Sequence, residues 1–287
     1  MNFERCYNCG SAEYRPIAVG YLRCRTCGLG WLPRRSWPKD QERHYSEEYY
    51  PENYAGRKNK GAFSYRFRLV KQYLVPQGEL LEIGAASGDF LALLREAGYA
   101  VRGVELSKRA AEQARRNYGL AMIQGTLERA KFETGTFAYV VMYHVLEHVP
   151  DPKAALAEVN RVLKKGGRLL IEVPNVQSVD AKVSRKLMRS VLDVPNHLYA
   201  FSPRTLRSLL NGAGFRVIAE ERSVPFIITQ PLRWMASCLK KEGTSRDQQA
   251  EASGRDLFER APQSSVWKRY LASVLPGMKL ALIAEKI

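Results

Sequence analysis

Hydrophobic and polar residues alternate from residue 77 onward in a pattern typical of short strands separated by amphipathic helices. Each helical stretch places apolar side chains three or four positions apart, whereas the strand stretches are short continuous apolar runs. This alternation predicts an α/β fold in which a parallel sheet carries helices on both faces. The predicted elements of this part are strand 80–83, helix 88–97, strand 100–105, helix 108–118, strand 120–124, strand 137–143, a helix ending at 163 and strand 168–173.

Beyond residue 200 the pattern predicts a further helix, a strand and an insertion. Ser202 and Pro203 begin the helix, Gly214 ends it, and strand 215–222 follows. Within 223–277 two stretches have helical spacing, and we interpret them as a lid, with a membrane surface or a partner protein as alternative contacts. Their apolar positions are Leu232, Met235, Ala236 and Leu239, and then Trp267, Tyr270, Leu271, Val274 and Leu275.

Four of the five cysteines form two Cys-x2-Cys pairs near the N-terminus, Cys6 with Cys9 and Cys24 with Cys27. Two such pairs offer four thiolates, which is the ligand set of a tetrahedral zinc site. Because the protein would then fill all four coordination positions, we expect a structural Zn²⁺ rather than a catalytic one. The sequence therefore predicts a zinc-ribbon-like module over residues 1–35.

Residues 36–76 are predicted to connect this module to an α/β domain over residues 77–287. Most of the connector mixes aromatic and charged residues without periodicity, but 63–74 has the spacing of an amphipathic helix. We interpret the segment as an ordered connector with a helix over the cofactor cleft. Stacking of nucleic-acid bases on its tyrosines is the alternative.

The net charge of +16 is distributed unevenly over the 287 residues. Residues 1–76 carry 14 basic and 7 acidic side chains and residues 174–287 carry 18 and 10, whereas residues 77–173 carry 13 and 12. The excess lies outside residues 77–173, in segments that would flank a substrate, which favours an anionic partner; a basic surface that only maintains solubility is the alternative.

No apolar run approaches the roughly 20 residues of a transmembrane helix, and the first residues lack the charged-then-apolar order of a signal peptide. We therefore expect a cytoplasmic protein without a transmembrane segment. Peripheral contact with a membrane through the 223–277 insertion is the alternative.

A glycine-bracketed turn joins the first predicted strand to the first helix. Glu82 lies near the end of the strand, Gly84 and Gly88 allow a tight turn close to a ligand, and Asp89 begins the helix. A dinucleotide site needs a glycine in the middle of such a loop, but Ala86 stands there, and an aspartate disfavours a pyrophosphate. Two acidic residues instead suit a cationic ligand such as S-adenosylmethionine (SAM).

A third acidic residue lies 21 positions after Gly84. The next apolar run ends at Glu105, where a carboxylate can accept hydrogen bonds from both ribose hydroxyls of a nucleotide. The glycine turn and the spaced acid together predict a nucleoside cofactor at the carboxyl ends of the first two strands.

The order of elements and the motifs resemble the class I SAM-dependent methyltransferases, particularly the branch with an EHV-x-DP turn. The resemblance implies a Rossmann-like seven-stranded methyltransferase fold in which a final strand, 278–286, pairs antiparallel beside strand 215–222. The N-terminal four-cysteine segment is similar to that of bacterial methyltransferases acting on sugars. The residues that carry the resemblance are Glu82 to Gly88, Glu105, His144 to Pro152, Gly166 to Pro174 and His197 to Ser202.

The resemblance also implies which residues bind SAM. Three positions depart from the family pattern: Ala86 replaces a common glycine, Thr126 and Leu127 stand where an aspartate is common, and Ala138 replaces another aspartate. We expect backbone groups around Thr126 and Leu127 to contact the adenine. The implied cofactor-binding residues are Glu82, Gly84, Ala86, Gly88, Asp89, Glu105, Leu106, Thr126, Leu127, Tyr143 and His144.

Histidines at the ends of two strands are the candidates for acid–base chemistry. Methyl transfer to many nucleophiles requires removal of a proton, and His144 and His197 follow the fourth and fifth strands, where the methyl group is expected. Either is a candidate general base, with an imidazole that only packs or hydrogen-bonds as the alternative. Tyr199 is a candidate for orienting the substrate, whereas we expect His148 to be structural.

A helix at about 178–190 is predicted to carry a basic stripe at the rim of the site. Lys182, Arg185, Lys186 and Arg189 recur with helical spacing and therefore share one face. Paired arginine donors suit a phosphate, so the stripe predicts recognition of the anionic part of a substrate. A solvated charged face is the alternative.

These patterns together predict a SAM-dependent methyltransferase that acts on an anionic small molecule. The preferred acceptor is a nucleotide- or lipid-linked sugar in polysaccharide or glycoconjugate biosynthesis. An rRNA or tRNA methyltransferase is the first alternative, supported by charge and the zinc module but not by any RNA-recognition signature. A noncatalytic SAM-binding or zinc-ribbon interaction protein is the alternative of another class.

Overall fold

A computed structural model describes most of the chain, including the whole predicted α/β core. Most of the predicted 223–277 insertion, part of the connector, and three members of the basic stripe lie outside the described residues. The structure describes residues 5–40, 43–44, 60–179, 182, 188, 192–223 and 278–287.

Eleven strands are found in the described part of the chain, seven of them in one sheet. The order of this sheet is β10-β11-β8-β7-β4-β5-β6, and its strands are parallel except β11, which is antiparallel to both of its neighbours. The strands are β1 (Tyr14–Pro16), β2 (Leu22–Cys24), β3 (Gly30–Trp31), β4 (Glu79–Ile83), β5 (Ala100–Glu105), β6 (Met122–Gln124), β7 (Phe137–Tyr143), β8 (Leu163–Pro174), β9 (Tyr199–Ala200), β10 (Phe215–Arg222) and β11 (Lys279–Lys286).

Helices connect the parallel strands, and their ends follow from local sequence signals. The Ser107 hydroxyl accepts the N–H of Ala110 at the start of one helix, and Asp151 accepts that of Ala154 at the start of another. Pro152 occupies the first turn of the second helix, where a missing N–H has no consequence. The helices are α1 (Lys60–Tyr73), α2 (Asp89–Glu96), α3 (Lys108–Tyr118), α4 (Pro152–Val162) and α5 (Pro203–Gly212).

The predicted α/β fold is confirmed, including the antiparallel pairing of the final strand. One boundary is wrong: β8 begins at Leu163, five residues before the predicted start. Leu163 pairs with Phe137 of β7, the chain then bulges, and regular pairing resumes where Arg168 meets Tyr139. The sequence signal of the Gly166–Gly167 pair therefore marks an irregularity within the strand rather than the turn before it.

Strands β1, β2 and β3 of the cysteine-containing segment form a second, antiparallel sheet whose fourth strand is β9. Trp31 pairs with Tyr199 and Gly30 with Ala200, so a strand from the α/β domain completes the sheet of the N-terminal module. Across the same interface the hydroxyl of Tyr7 binds Asp151. The two parts are thus joined through backbone pairing as well as through side chains.

Apolar side chains fill the space between the large sheet and its helices. The core residues of β7 and β8 are fully buried, and the apolar faces of α4 and α5 cover one side of the sheet while those of α1, α2 and α3 cover the other. Among the described helices, none is long and apolar enough to cross a membrane.

Candidate functional site

A cavity of about 440 Å³ lies at the carboxyl ends of β4, β5 and β7, the three neighbouring strands at the centre of the sheet. Loops after parallel strands converge at one edge of a sheet, which is where ligands bind in open α/β folds. Six of the predicted cofactor residues line this cavity: Gly84, Glu105, Leu106, Thr126, Leu127 and His144.

The turn after β4 has the strained backbone that its sequence suggested. Gly84 has φ +72°, and a Cβ atom there would lie 2.5 Å from Cγ2 of Val145. Ala86 also adopts a left-handed conformation, with φ +48°, which glycine would adopt without strain. Backbone strain of this kind is found mainly at ligand-binding sites.

Glu105 links the end of β5 to this turn. Its two carboxylate oxygens accept hydrogen bonds from the backbone N–H groups of Ala86 at 2.8 Å and Ser107 at 2.9 Å. Burial raises the pKa of Glu105, and these N–H groups oppose the rise. The side chain therefore fixes the turn and at the same time forms part of the cavity wall.

Glu82 lies buried in β4, close to the turn but outside the cavity lining. Burial raises the pKa of its carboxyl group to about 8, although the positive charge of Arg66 opposes the rise. One carboxylate oxygen, Oε2, has no hydrogen-bond partner among the described residues. A buried carboxylate in this state has unused capacity to bind a cationic group.

The remaining predicted cofactor residues stand behind the cavity wall. Asp89 accepts hydrogen bonds from the hydroxyl groups of Ser87 and Tyr118. Tyr143 is buried, with its ring 4.4 Å from the guanidinium of Arg66. The predicted residues that do not line the cavity are Glu82, Ala86, Gly88, Asp89 and Tyr143.

His144 lies at the other end of the cavity, between two buried carboxylates. Its Nδ1 is 3.1 Å from Oε1 of Glu147, and its Nε2 is 3.1 Å from Oε1 of Glu172. Burial disfavours the charged imidazole, but the two hydrogen bonds outweigh this effect and raise the pKa of His144 to about 9. At neutral pH the ring therefore donates hydrogen bonds from both nitrogens.

His197 and His148 lie side by side, with their ring centroids 4.8 Å apart. His148 borders the cavity, whereas His197 is buried just behind it. Tyr199 is directed away: its hydroxyl donates to the carbonyl of Pro150, and its ring packs against Tyr7. The structure thus brings three histidines together and gives Tyr199 a packing position at the module interface.

Sequence reasoning missed the charged network behind His144. Glu172 is fully buried in β8 and binds Arg66 of α1 as well as His144, and these positive groups hold its pKa at about 2 despite burial. A signal was available, because a glutamate within the apolar run of β8 is unusual unless it is paired. Arg66 carried no such signal, since its contact crosses 106 positions of sequence.

The four N-terminal cysteines come together as predicted. The Sγ atoms of Cys6 and Cys27 are 3.4 Å apart and those of Cys9 and Cys24 are 3.6 Å apart, with all four within 4.8 Å of one another. Four thiolates bound to one Zn²⁺ at about 2.3 Å are separated by about 3.8 Å. The cluster therefore fits a structural zinc ion held by all four sulfurs.

Only Lys182 of the predicted basic stripe lies within the described residues. Its side chain is exposed, and its backbone N–H donates to the carbonyl of Ser178, as in a helical turn. Arg185, Lys186 and Arg189 lie outside the described residues.

A family model described as methyltransferase domain matches residues 54–220, more than half of the chain. The chain belongs to this methyltransferase family. The predicted membership of the class I SAM-dependent methyltransferases is thus confirmed, and the seven-stranded sheet is that of the methyltransferase domain.

Curated relatives match this methyltransferase domain over limited lengths. An uncharacterized 37.1 kDa protein from a transposon of Streptomyces fradiae is 35% identical over 156 residues, which are 50% of this chain and 44% of that protein. Demethylmenaquinone methyltransferase of Staphylococcus saprophyticus is 30% identical over 115 residues, 37% of this chain and 49% of the enzyme. The chain therefore spans about half the length, or less, of these curated relatives.

A solved structure shows the same fold over a larger part of the chain. The SAM-dependent methyltransferase from Archaeoglobus fulgidus aligns with a TM-score of 0.54 at 21% identity, over 78% of this chain and 93% of that one. This similarity supports the assignment of the fold, which the strand order had already given.

SAM is the cofactor of the methyltransferase domain, and the residues at the carboxyl edge fit it. The unpartnered oxygen of Glu82 suits a cationic group, and Glu105 on the cavity wall suits ribose hydroxyls. Leu127 and the neighbouring apolar residues form the part of the wall that suits an adenine ring.

Proposed function

We propose that this protein is a SAM-dependent methyltransferase whose acceptor is an anionic small molecule, a nucleotide- or lipid-linked sugar. The observation that carries the proposal is the cavity that has Glu105 at one end and the histidines at the other. SAM supplies an activated methyl group on its sulfonium sulfur. The protein's own residues then hold the acceptor in line and handle its proton.

An anionic acceptor is supported by the distribution of charge. The α/β core between residues 77 and 173 is almost neutral, whereas the segments before and after it carry the excess of basic side chains. Lys182, exposed shortly after the end of β8, belongs to the second of these segments. An excess of basic side chains attracts phosphate-bearing molecules over distances of about 10 Å.

A charge-reversal variant tests the anionic part of the proposal. Changing Lys182, Arg185 and Lys186 to Glu should raise KM for a phosphate-bearing acceptor, more strongly at low than at high salt, with SAM affinity unchanged. The matched control reverses Arg116, Lys164 and Lys165, exposed basic residues at the opposite edge of the sheet. If both triple variants have the same KM at low salt, the stripe plays no part in acceptor binding.

The acceptor's proton is assigned to the histidines at the far end of the cavity. His144 is held as a double hydrogen-bond donor by Glu147 and Glu172, which suits a positioning role rather than that of a base at neutral pH. His197, which lies beside His148 just behind the cavity wall, is the other candidate base. A His197→Ala variant should lose about 10²- to 10⁴-fold in single-turnover rate, and wild-type turnover would exclude that role.

A quinone-like aromatic acceptor is a second candidate. It is favoured by the apolar side chains that line most of the cavity and by the similarity to a demethylmenaquinone methyltransferase. RNA methylation and noncatalytic SAM binding are the further alternatives. Methyl transfer from labelled SAM to sugar-nucleotide, lipid-linked sugar, quinone and total RNA fractions separates them. Label in either sugar fraction supports the proposal, and label only in quinones or RNA contradicts it. SAM binding without any transfer indicates a noncatalytic protein.

A further inference from the structure

Glu147, His148 and His197 form a compact cluster beside the cavity. One ligand atom from each side chain lies within 4.8 Å of the other two. All three arise from short irregular segments: the turn Leu146–His148 after β7, and the loop before β9. The backbone connects these segments, because Leu198 N–H donates to the carbonyl of Glu147 at 2.7 Å.

The carboxylate of Glu147 is only half satisfied. The side chain is fully buried, and Oε1 is 3.1 Å from Nδ1 of His144, but Oε2 has no hydrogen-bond partner among the described residues. A buried carboxylate oxygen without a partner destabilises the folded protein. A cation bound at this oxygen would remove that effect.

The imidazole of His148 is oriented as that of a metal-ligating histidine usually is. Nδ1 of His148 is 3.0 Å from the carbonyl oxygen of Asn196, a contact in which the ring donates its N–H and directs Nε2 elsewhere. Backbone carbonyls and carboxylates commonly fix ligating groups in this way. His144 does the same for Glu147, since it holds one oxygen of the carboxylate and is itself held by Glu172.

We propose that Glu147, His148 and His197 bind one divalent transition-metal ion. Two imidazoles and one carboxylate are the ligand set of many mononuclear catalytic sites, in which further coordination positions remain for water or substrate. Ligands that share an ion at about 2.0–2.2 Å lie about 3–4 Å apart, so small side-chain movements bring the present cluster to that geometry. This site differs from the cysteine cluster in ligand type, depth and chemistry.

The position of the cluster assigns a role to the ion, and this role rests on the proposed function. His148 belongs both to the cluster and to the cavity wall, so the ion reaches the acceptor end of the cavity. A hydroxyl of the acceptor that binds the ion becomes more acidic and is fixed in orientation. With the ion bound, His197 acts as its ligand, and the acidified hydroxyl transfers its proton to water.

Binding of Mn²⁺ to the full-length protein tests the site directly. Mn²⁺ prefers nitrogen and oxygen ligands to thiolates, so it reports on this cluster while zinc occupies the cysteine site. We expect the electron paramagnetic resonance signal of free Mn²⁺ to reveal one bound ion per chain in wild-type protein. In His148→Asn, His197→Asn and Glu147→Gln, the affinity should fall at least about tenfold.

A histidine variant outside the cluster serves as the control, and separate measurements check that every variant is folded. His44→Asn removes a histidine that contacts the same loop through the side chain of Asn196 but lies outside the cluster, and it should bind Mn²⁺ as the wild type does. Circular dichroism and SAM binding check that each variant is folded. Wild-type protein that binds no Mn²⁺, or cluster variants that bind it as tightly as wild type, would overturn the proposal.

Activity assays then separate this proposal from the proposed function. If methyl transfer to an identified acceptor falls on removal of the ion and returns with Mn²⁺, the metal site and the methyltransferase function both stand, and His197 is a metal ligand rather than the base. If the cluster binds Mn²⁺ but no acceptor is methylated, the metal site stands and the proposed function fails. Methyl transfer by metal-free protein at the full rate contradicts the assigned role of the ion, and His197 is then the remaining candidate base.

Discussion

At the scale of single residues, Glu105 joins the structural and the ligand-binding parts of the site. One carboxylate fixes the left-handed turn at Ala86 and the start of α3 at Ser107, and it also faces the cavity. Such a residue cannot be replaced without affecting both the loop and the ligand. A measurement of how replacing Glu105 changes cofactor affinity must therefore be accompanied by a measurement of protein stability.

Replacing Glu105 with Ala is expected to weaken SAM binding by about tenfold to hundredfold. The variant loses hydrogen bonds to a charged group, each worth about 1.5–3 kcal/mol, at the ribose and at the turn. Calorimetry measures the dissociation constant and thermal unfolding measures stability. Glu96→Ala, an exposed acid at the end of α2, is the matched control and should change neither; equal SAM affinity in both variants would contradict the assignment.

The affinity for SAM is expected to increase with pH through the titration of Glu82. Burial raises the pKa of this carboxyl group to about 8, above its ordinary value of 4.5, so the free protein holds it mostly neutral at pH 7. A cationic ligand favours the carboxylate, hence binding releases a proton and strengthens by up to about tenfold per pH unit below pH 8. Glu82→Gln should abolish this slope, whereas Glu79→Gln at the start of β4 should keep it. Parallel pH profiles for wild type and Glu82→Gln would exclude the contact.

The raised pKa of Glu82 has the opposite effect on the stability of the folded protein, which decreases as the pH rises. Because the folded protein favours the neutral form of Glu82, its contribution to stability is complete below pH 4.5 and is lost as the pH rises through about 8. A cationic ligand that binds the charged form of Glu82 would offset this loss. Ligand binding and stability therefore have different pH optima at this residue.

The sequence predicted residues at strand ends better than residues within strands. Glu105 was identifiable because an acid at the end of an apolar run stands at the ligand-binding edge of a parallel sheet. Glu172 was missed because its partners, Arg66 and His144, come from distant segments that pattern alone does not bring together. The catalytic assignment of His144 and His197 from sequence remains a prediction.

At the scale of elements, the turn between β4 and α2 depends on the absence of a side chain at one position. Gly84 combines a left-handed backbone with van der Waals proximity to Val145, which follows β7. The loops after two neighbouring strands therefore interlock. This arrangement keeps the cavity wall fixed between the cofactor and the histidines.

Gly84→Ala is expected to destabilise the protein by about 1–3 kcal/mol and to impair SAM binding. The new methyl group would meet Cγ2 of Val145 at 2.5 Å, in addition to the strain of a left-handed alanine. Gly119→Ala at the end of α3 is the control, since it has a similar φ, +61°, but nothing within 4 Å of its Cβ position. Chemical denaturation should show the larger loss for Gly84→Ala, and partial rescue by Val145→Ala; equal losses would mean that the contact is easily relieved.

Long elements with regular periodicity were predictable, whereas short ones were not. The spacing of apolar residues predicted the order of strands and helices from β4 to α5, because burial on one or both faces leaves that mark. Strand β9 has two residues, Tyr199 and Ala200, too few for any periodicity to emerge. It exists because the edge of β3 is available to pair with it.

At the scale of the whole molecule, the cysteine module and the histidine cluster are mechanically connected. The hydroxyl of Tyr21 binds the backbone carbonyl of His197, and Leu32 N–H donates to the carbonyl of Leu198 at 2.9 Å. Backbone pairing between β3 and β9 extends the contact between the two parts of the protein. A zinc ion bound by the cysteines would therefore stabilise the loop that carries His197, although the two sites share no ligand.

Removal of zinc is expected to loosen this loop before it affects the large sheet. Cys9→Ser with Cys24→Ser should lower the zinc content from about one ion per chain to none and reduce hydrogen-exchange protection at Leu198 to Ala200, while the amides of β4 and β7 remain protected. Cys238→Ser, the fifth cysteine, is the control and should retain zinc and protection. Unchanged exchange at Leu198 in the zinc-free variant would mean that the loop is held by the α/β domain alone.

Because β9 belongs to the same sheet as β1, β2 and β3, this sheet can be completed only after β9 has been synthesised. Strands β1 to β3 are synthesised well before their partners, because Tyr21 contacts Leu192 and His197, which lie 171 and 176 positions further along the chain. Most of the polypeptide must therefore be translated before the N-terminal sheet receives its last strand. Until then its edge is an unpaired backbone that another chain could occupy. A zinc ion bound early would keep the first three strands together through this interval.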